Sequence, residues 1–222
     1  MIPRSAWNFL KGHRPCQPLF CEQYRVSPAV TASACRPVGA QTRRAAESEY
    51  LTPAEVERLV KTARKRGRYG SRDAVAILMS FRHGLRVSEL VGLRWSQVDF
   101  TTARLTVHRA KGSAGSTHPI LGDELRELRK LQREQPAGSQ FVFTGERGPV
   151  SVAWFQRMLQ RVGVDAGMPL VHAHMLRHST GFALADKGRD LREIQDYLGH
   201  RSIANTVIYT KLRSGRFDRI WD

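Results

Sequence analysis

Cysteine is confined to the start of this 222-residue chain, at Cys16, Cys21 and Cys35. An odd count with no CxxC pair excludes a disulfide framework and a zinc knuckle, and the thiol-free remainder fits a reducing cytoplasm. Long hydrophobic runs are missing as well. The longest apolar stretches are a few residues, too short for a helix to cross a bilayer. There is no GxxxxGK[ST] loop to cradle a nucleoside triphosphate, no HExxH pair, and no clustered acidic motif for a two-metal centre. No internal repeat is visible. Acidic residues are scarce: 20 Asp and Glu stand against 36 Lys and Arg, a formal charge of +16. Such an excess points to a polyanionic partner, nucleic acid foremost, because Lys and Arg displace the counterions condensed on phosphates.

Residues 1–47 differ from the rest. They carry Pro3, Pro15, Pro18, Pro28 and Pro37, with seven Lys or Arg against two Glu and no sustained period. This composition predicts a basic, mostly disordered arm. Its arginine-rich character also resembles a transit peptide, but it has neither an amphipathic period nor a secretory apolar core. Ordered structure is expected over 48–222, where 29 basic against 18 acidic residues leave +11.

That second part reads as mainly helical with one small antiparallel sheet. Thr52, Pro53 and Glu55 form a capping box with proline at the first helical position, and Val56, Leu59, Val60 and Ala63 follow on one face. A helix is expected over about 71–83, stopping at Gly84, and a short one opens near Arg86. Val98 to Phe100, Leu105 to Val107 and Thr117 to Ile120 read as two or three strands, the last two joined by the turn AKGSAGS. Further helices are expected over about 123–135, 151–162, 174–187, 191–198 and 202–209, with Phe141 to Phe143 extended between the first two. Gly188 and Gly199 are the expected stops for the helices before them.

The chemistry concentrates in a few places. In HAHMLRHSTG, His174 and Arg177 are three apart and share a helix face. Zinc, an oxyanion, or plain packing against the core would each account for such a pair. A guanidinium would repel a cation, while its planar fork matches two phosphate oxygens. Arg86 opens a helix directly after a glycine, and unpaired N–H groups at a helix start favour anions. Glu89, one turn on, is placed to hold Arg86. Lys111 begins the Gly/Ser turn. His200 and Tyr209 lie nine apart near the end. A phenol with a pKa near 10 is a poor nucleophile unless cations stabilise its anion and a base takes its proton.

Taken in order, Arg86, Lys111, His174, Arg177, His200 and Tyr209 resemble the site of the tyrosine recombinases, the phage integrase family. The blocks HMLRHS and IQDYLGHR, with Thr117 to Pro119 and the ending GRFDRIWD, are similar to the short members that invert the type 1 fimbrial promoter. The resemblance covers about residues 49–222 and implies the catalytic-domain fold of that family. It implies site-specific cutting and rejoining of double-stranded DNA, by inversion, integration or excision, with no cofactor and no metal. Tyr209 would be the nucleophile, joined to a 3′ phosphate. Arg86 and Arg177 would clamp the non-bridging oxygens, Lys111 would protonate the leaving 5′ oxygen, and His174 would be the base for the phenol. His200 would donate to the phosphate and Glu89 would orient. His172 and His178 would have packing or supporting roles, and His108 and His118 would be structural. Implied partners are a homotetramer on paired sites and DNA-bending accessory proteins, in the bacterial cytoplasm on the nucleoid. The rival readings are a non-catalytic DNA-binding regulator on the same scaffold and a type IB topoisomerase.

Overall fold

The computed structural model describes residues 49–109 and 115–211, without the side chains of the last two. The arm 1–47, Lys111 and the apolar tail after Gly215 therefore lie outside the described residues. The described helices are α1 (Pro53–Arg64), α2 (Gly70–Arg82), α3 (Val87–Val91), α4 (Gly122–Glu134), α5 (Val152–Asp165), α6 (Ala173–Asp186), α7 (Leu191–Leu198) and α8 (Ala204–Lys211). A 3₁₀ turn, Trp95–Gln97, leads into a sheet of β1 (Val98–Asp99), β2 (Arg104–Val107) and β3 (Ser116–Pro119). Its order is β1-β2-β3, antiparallel, with Leu105 opposite both Val98 and His118.

Local chemistry sets the helix boundaries. The Thr52 hydroxyl accepts the Glu55 N–H, while the Thr52 N–H donates to the Glu55 carboxylate at 2.8 Å. Ser151 caps α5 by accepting the Trp154 N–H, and Asp190 caps α7 by accepting the Arg192 N–H at 2.7 Å. The extended piece expected at Phe141 to Phe143 begins with an antiparallel bridge between Phe141 and Arg94, beside which the Val142 N–H donates to the Leu93 carbonyl at 2.9 Å. Val142 and Phe143 have no exposed surface, and the short hairpin follows them, as β4 (Thr144–Gly145) with β5 (Gly148–Pro149). Sequence alternation is too weak there to separate two-residue strands from the run before them.

The main core joins α1, α2, α4, α5 and α6 through Leu59, Ile77, Leu128, Leu159 and Leu176, all fully enclosed. Helix α6 runs through the middle. Met175, Leu176, Arg177, Ser179, Thr180 and Phe182 are buried around most of its circumference, so no single apolar stripe marks it. Two hydroxyls fix its position: Ser179 accepts the Leu51 N–H at 2.7 Å, and Thr180 donates to the Phe81 carbonyl. A smaller cluster of Phe182, Ile194, Leu198 and Tyr209 seats α7 and α8 on its far end.

Candidate active site

Arg86 ends an extended turn and serves as the N-cap position of α3. The turn depends on Gly84, whose φ is +56° and where any Cβ would collide with Leu198. The Arg86 N–H donates to Glu89 Oε2 and its Nη1 to Glu89 Oε1, both at 2.8 Å. This holds the guanidinium while 38% of the side chain stays exposed. Arg177 projects from α6 and is buried. Its Nη1 donates to the Gly84 carbonyl, and its Nη2 to the Leu198 carbonyl at 2.6 Å. Burial first, then the charges of Arg86 and Arg109, pulls its pKa down to about 10.

Both arginines line a groove of about 700 Å³, together with His172, His174, Gln156 and Gln160. On α6, one residue past Arg177, the His178 ring meets the His174 ring edge to face, with centroids 4.3 Å apart. His178 Nδ1 lies 3.0 Å from the Tyr209 hydroxyl. Burial lowers the pKa of both rings, with Arg177 adding to the effect at His174 and His174 at His178, so both are neutral near pH 7. The phenol is 1% exposed, and burial raises its pKa against the opposing pull of Arg177. His200 packs its ring parallel to that phenol and pairs through Nδ1 with the Thr206 hydroxyl at 3.0 Å. Burial, then Arg177 and Arg86, brings its pKa to about 4.

Arg86, Glu89, His174, Arg177, His200 and Tyr209 thus occupy one region of the fold, while Lys111 lies outside the described residues. Two further side chains of this region, His178 and Arg109, carry no expected part in the reaction from the sequence. His178, rather than His174, touches the phenol, and the sequence signal was present, since i and i+4 share a face. Arg109 is buried against Glu89 and had no sequence signal, because an arginine beside a hairpin reads as an exposed one. Among the described residues, no three His, Cys, Asp or Glu side chains come together as metal ligands would.

A second basic cleft lies across α5, about 930 Å³ in volume, lined by Arg66, Arg68, Arg72, Arg147, Arg157 and Arg161. Arg72 is sandwiched there between the rings of Tyr69 and Trp154, at 4.2 and 4.6 Å. Arg157 and Arg161 are exposed on the cleft side of α5, while Gln156 and Gln160 of the same helix face the groove.

Comparison with known proteins agrees with this architecture. The model of the phage integrase family matches residues 49–216. The type 1 fimbriae regulatory protein FimB of Escherichia coli K12 is 42% identical over 179 residues, covering 78% of this chain and 89% of that protein. Among solved structures, XerA recombinase superposes with a TM-score of 0.66 at 27% identity, over 76% of this chain and 62% of its own. XerH site-specific recombinase, bound to its palindromic difH substrate, gives 0.66 at 23% identity, over 76% of this chain and 51% of its own.

Proposed function

The chain belongs to the phage integrase family of tyrosine recombinases, and from that membership we propose that it recombines duplex DNA at specific sites through a covalent link to Tyr209. The observation that carries this reading is the shared groove: Arg86, Arg177 and His174 line it together, and the His174 ring meets that of His178, which is bonded to the Tyr209 hydroxyl. Two arginines lining one open space fit the non-bridging oxygens of a phosphodiester, where negative charge grows as the phosphorus becomes five-coordinate.

The Tyr209 oxygen attacks phosphorus, forming the O–P bond as the bond to the 5′ oxygen breaks. The phenol proton passes to an imidazole, and Lys111 supplies a proton to the departing 5′ oxygen. The 5′ hydroxyl of a second strand then attacks the phosphotyrosine, which restores a phosphodiester and the phenol. Bond types are conserved, so no ATP is consumed and no cofactor takes part. Two rings compete for the phenol proton: His174 on the groove and His178 on the hydroxyl itself. His178 is already hydrogen-bonded to it and takes the first step in this reading. Because Tyr209 is enclosed, DNA binding must draw α8 outward before the oxygen reaches phosphorus. The cleft along α5 adds a second surface for the DNA backbone beyond the groove. The assembly is a homotetramer on paired sites in the bacterial cytoplasm, on the nucleoid, helped by proteins that bend DNA.

The test is covalent capture. A pool of nicked duplexes with a randomised central site is incubated with the full chain, and DNA joined to protein is recovered and sequenced. Enrichment of one site, lost in Tyr209→Phe, supports the reading, and a plasmid carrying two such sites is then expected to yield inverted or excised product. Relaxed plasmid alone indicates a topoisomerase. Binding without any adduct indicates a regulator.

A further inference from the structure

Helix α7 ends in three carbonyls that each receive a different arginine. The Tyr197 carbonyl accepts Arg109 Nη2 at 2.5 Å, the Leu198 carbonyl accepts Arg177 Nη2 at 2.6 Å, and the Gly199 carbonyl accepts Arg86 Nη2 at 3.4 Å. Carbonyls in the last turn of a helix lack partners within it and carry its partial negative charge, so they suit guanidinium donors. Two of the three arginines face the groove. The third, Arg109, has no exposed side-chain surface and does not line it.

Arg109 nonetheless touches what holds each of the others. Its Nη1 donates to Glu89 Oε2 at 2.8 Å, while Glu89 Oε1 takes Arg86 at the same distance. One carboxylate is therefore shared between a buried and an exposed guanidinium. The Gly84 carbonyl, which accepts Arg177, also accepts Arg109 at 3.4 Å. The Gly199 backbone just before His200 packs on the Arg109 stem so closely that a Cβ there would sit 2.9 Å from Cγ. In sequence, Arg109 stands just past the end of β2, two residues before Lys111.

We infer that Arg109 is a positioning residue for the reaction proposed above, holding Arg86 through Glu89 without touching the DNA. The physical reason is the sharing of Glu89. With Arg109 present, Glu89 Oε1 takes the Arg86 guanidinium and Oε2 takes that of Arg109, so the Arg86 guanidinium is held by a single carboxylate oxygen. Without Arg109, Glu89 can turn both oxygens onto Arg86 as a fork, and the Arg86 guanidinium leaves the phosphate position. A displacement of about 1 Å at such a site costs on the order of 100-fold in rate.

This inference rests on the recombinase reading, and the experiment separates the two. Single-turnover cleavage of the captured nicked duplex is measured against DNA concentration for the full chain, for Arg109→Met, Arg109→Lys and Glu89→Gln, and for the double variant Arg109→Met with Glu89→Gln. The maximal rate in Arg109→Met is expected to fall about 100-fold, with the half-saturating DNA concentration within about threefold of the parent. Arg109→Lys should recover part of the rate. The double variant should be no slower than the slower single variant, since both act through one carboxylate. Multiplying effects in the double variant, or an unchanged maximal rate in Arg109→Met, overturns the positioning role and leaves the recombinase reading intact. If Arg109→Met does not fold, Arg109→Lys decides alone: a folded protein with the full maximal rate overturns the role, and a reduced rate at unchanged DNA affinity supports it. Absence of any adduct with the parent chain removes the recombinase reading, and this inference with it.

Discussion

The Tyr209 hydroxyl lies 3.0 Å from Nδ1 of His178, on the helix that also carries Arg177. A neutral imidazole can accept the phenol proton there, and burial keeps His178 neutral by lowering its pKa. Tyr209→Phe is expected to bind DNA and form no adduct. His178→Ala should slow adduct formation by about 10² to 10⁴, the usual contribution of a positioned base. Because the pKa is depressed, the acid limb of the parent's pH–rate profile should fall below the ordinary imidazole value of about 6.5 and vanish in His178→Ala. Persistence of that limb in His178→Ala, with its disappearance in His174→Ala, would assign the proton to the ring on the groove.

Gly181 has no room for a side chain. A Cβ there would stand 2.5 Å from Cε2 and Cζ of Tyr209. Gly181→Ala should destabilise the chain by about 1–3 kcal/mol, as overpacking does, read as a lower Tm. The more informative result is at the phenol: the displaced ring should lose its bond to His178, and adduct yield should fall further than stability alone explains.

Beneath the sheet, His118 is 1% exposed, stacks on Tyr197 at 3.9 Å and meets His83 Nδ1 to Nδ1 at 3.3 Å. Burial, then the charges of His83 and Arg109, lowers its pKa to about 3. A depressed histidine pKa favours the native state above the unfolded value and loses that advantage as pH falls. Between about pH 6.5 and 3, His118 should therefore cost about 1.4 kcal/mol of stability per pH unit. Urea unfolding across that window should show the decline, and His118→Gln should flatten the slope by one proton.

In the cleft along α5, Arg157 and Arg161 are exposed one turn apart. Replacing both with Gln should leave melting nearly unchanged and weaken binding to any duplex, whatever its sequence. The plot of log affinity against log salt should become shallower by about 0.9 for each phosphate no longer neutralised. An unchanged salt slope would take this cleft out of the DNA-binding surface.

The helices were readable because their signals are local, whereas the grouping of the site residues came from the resemblance to a known family. The Thr52 box and Pro53 announce a start, Gly84, Gly188 and Gly199 announce stops, and the His174, Arg177 and His178 spacing puts three polar side chains on neighbouring turns. The two-residue strands of the second hairpin left no periodic trace. Arg109 was invisible for a different reason. Its burial depends on Glu89, Gly84 and Tyr197, which are distant in sequence, and no local rule separates a surface arginine from one enclosed by three other elements. The same holds for the pairing of His83 with His118, 35 residues apart.

The end of α7 sets a limit on how this chain can vary. One extra residue between Asp190 and Gly199 would turn the helix end by about 100° and advance it about 1.5 Å, carrying three acceptors away from three arginines in a single event. Substitution on the exposed face of that helix is mild by comparison. The stretch from Asp190 to Gly199 should therefore tolerate changes of residue but neither insertions nor deletions, and a loop graft or tag placed there is the surest way to lose the whole site.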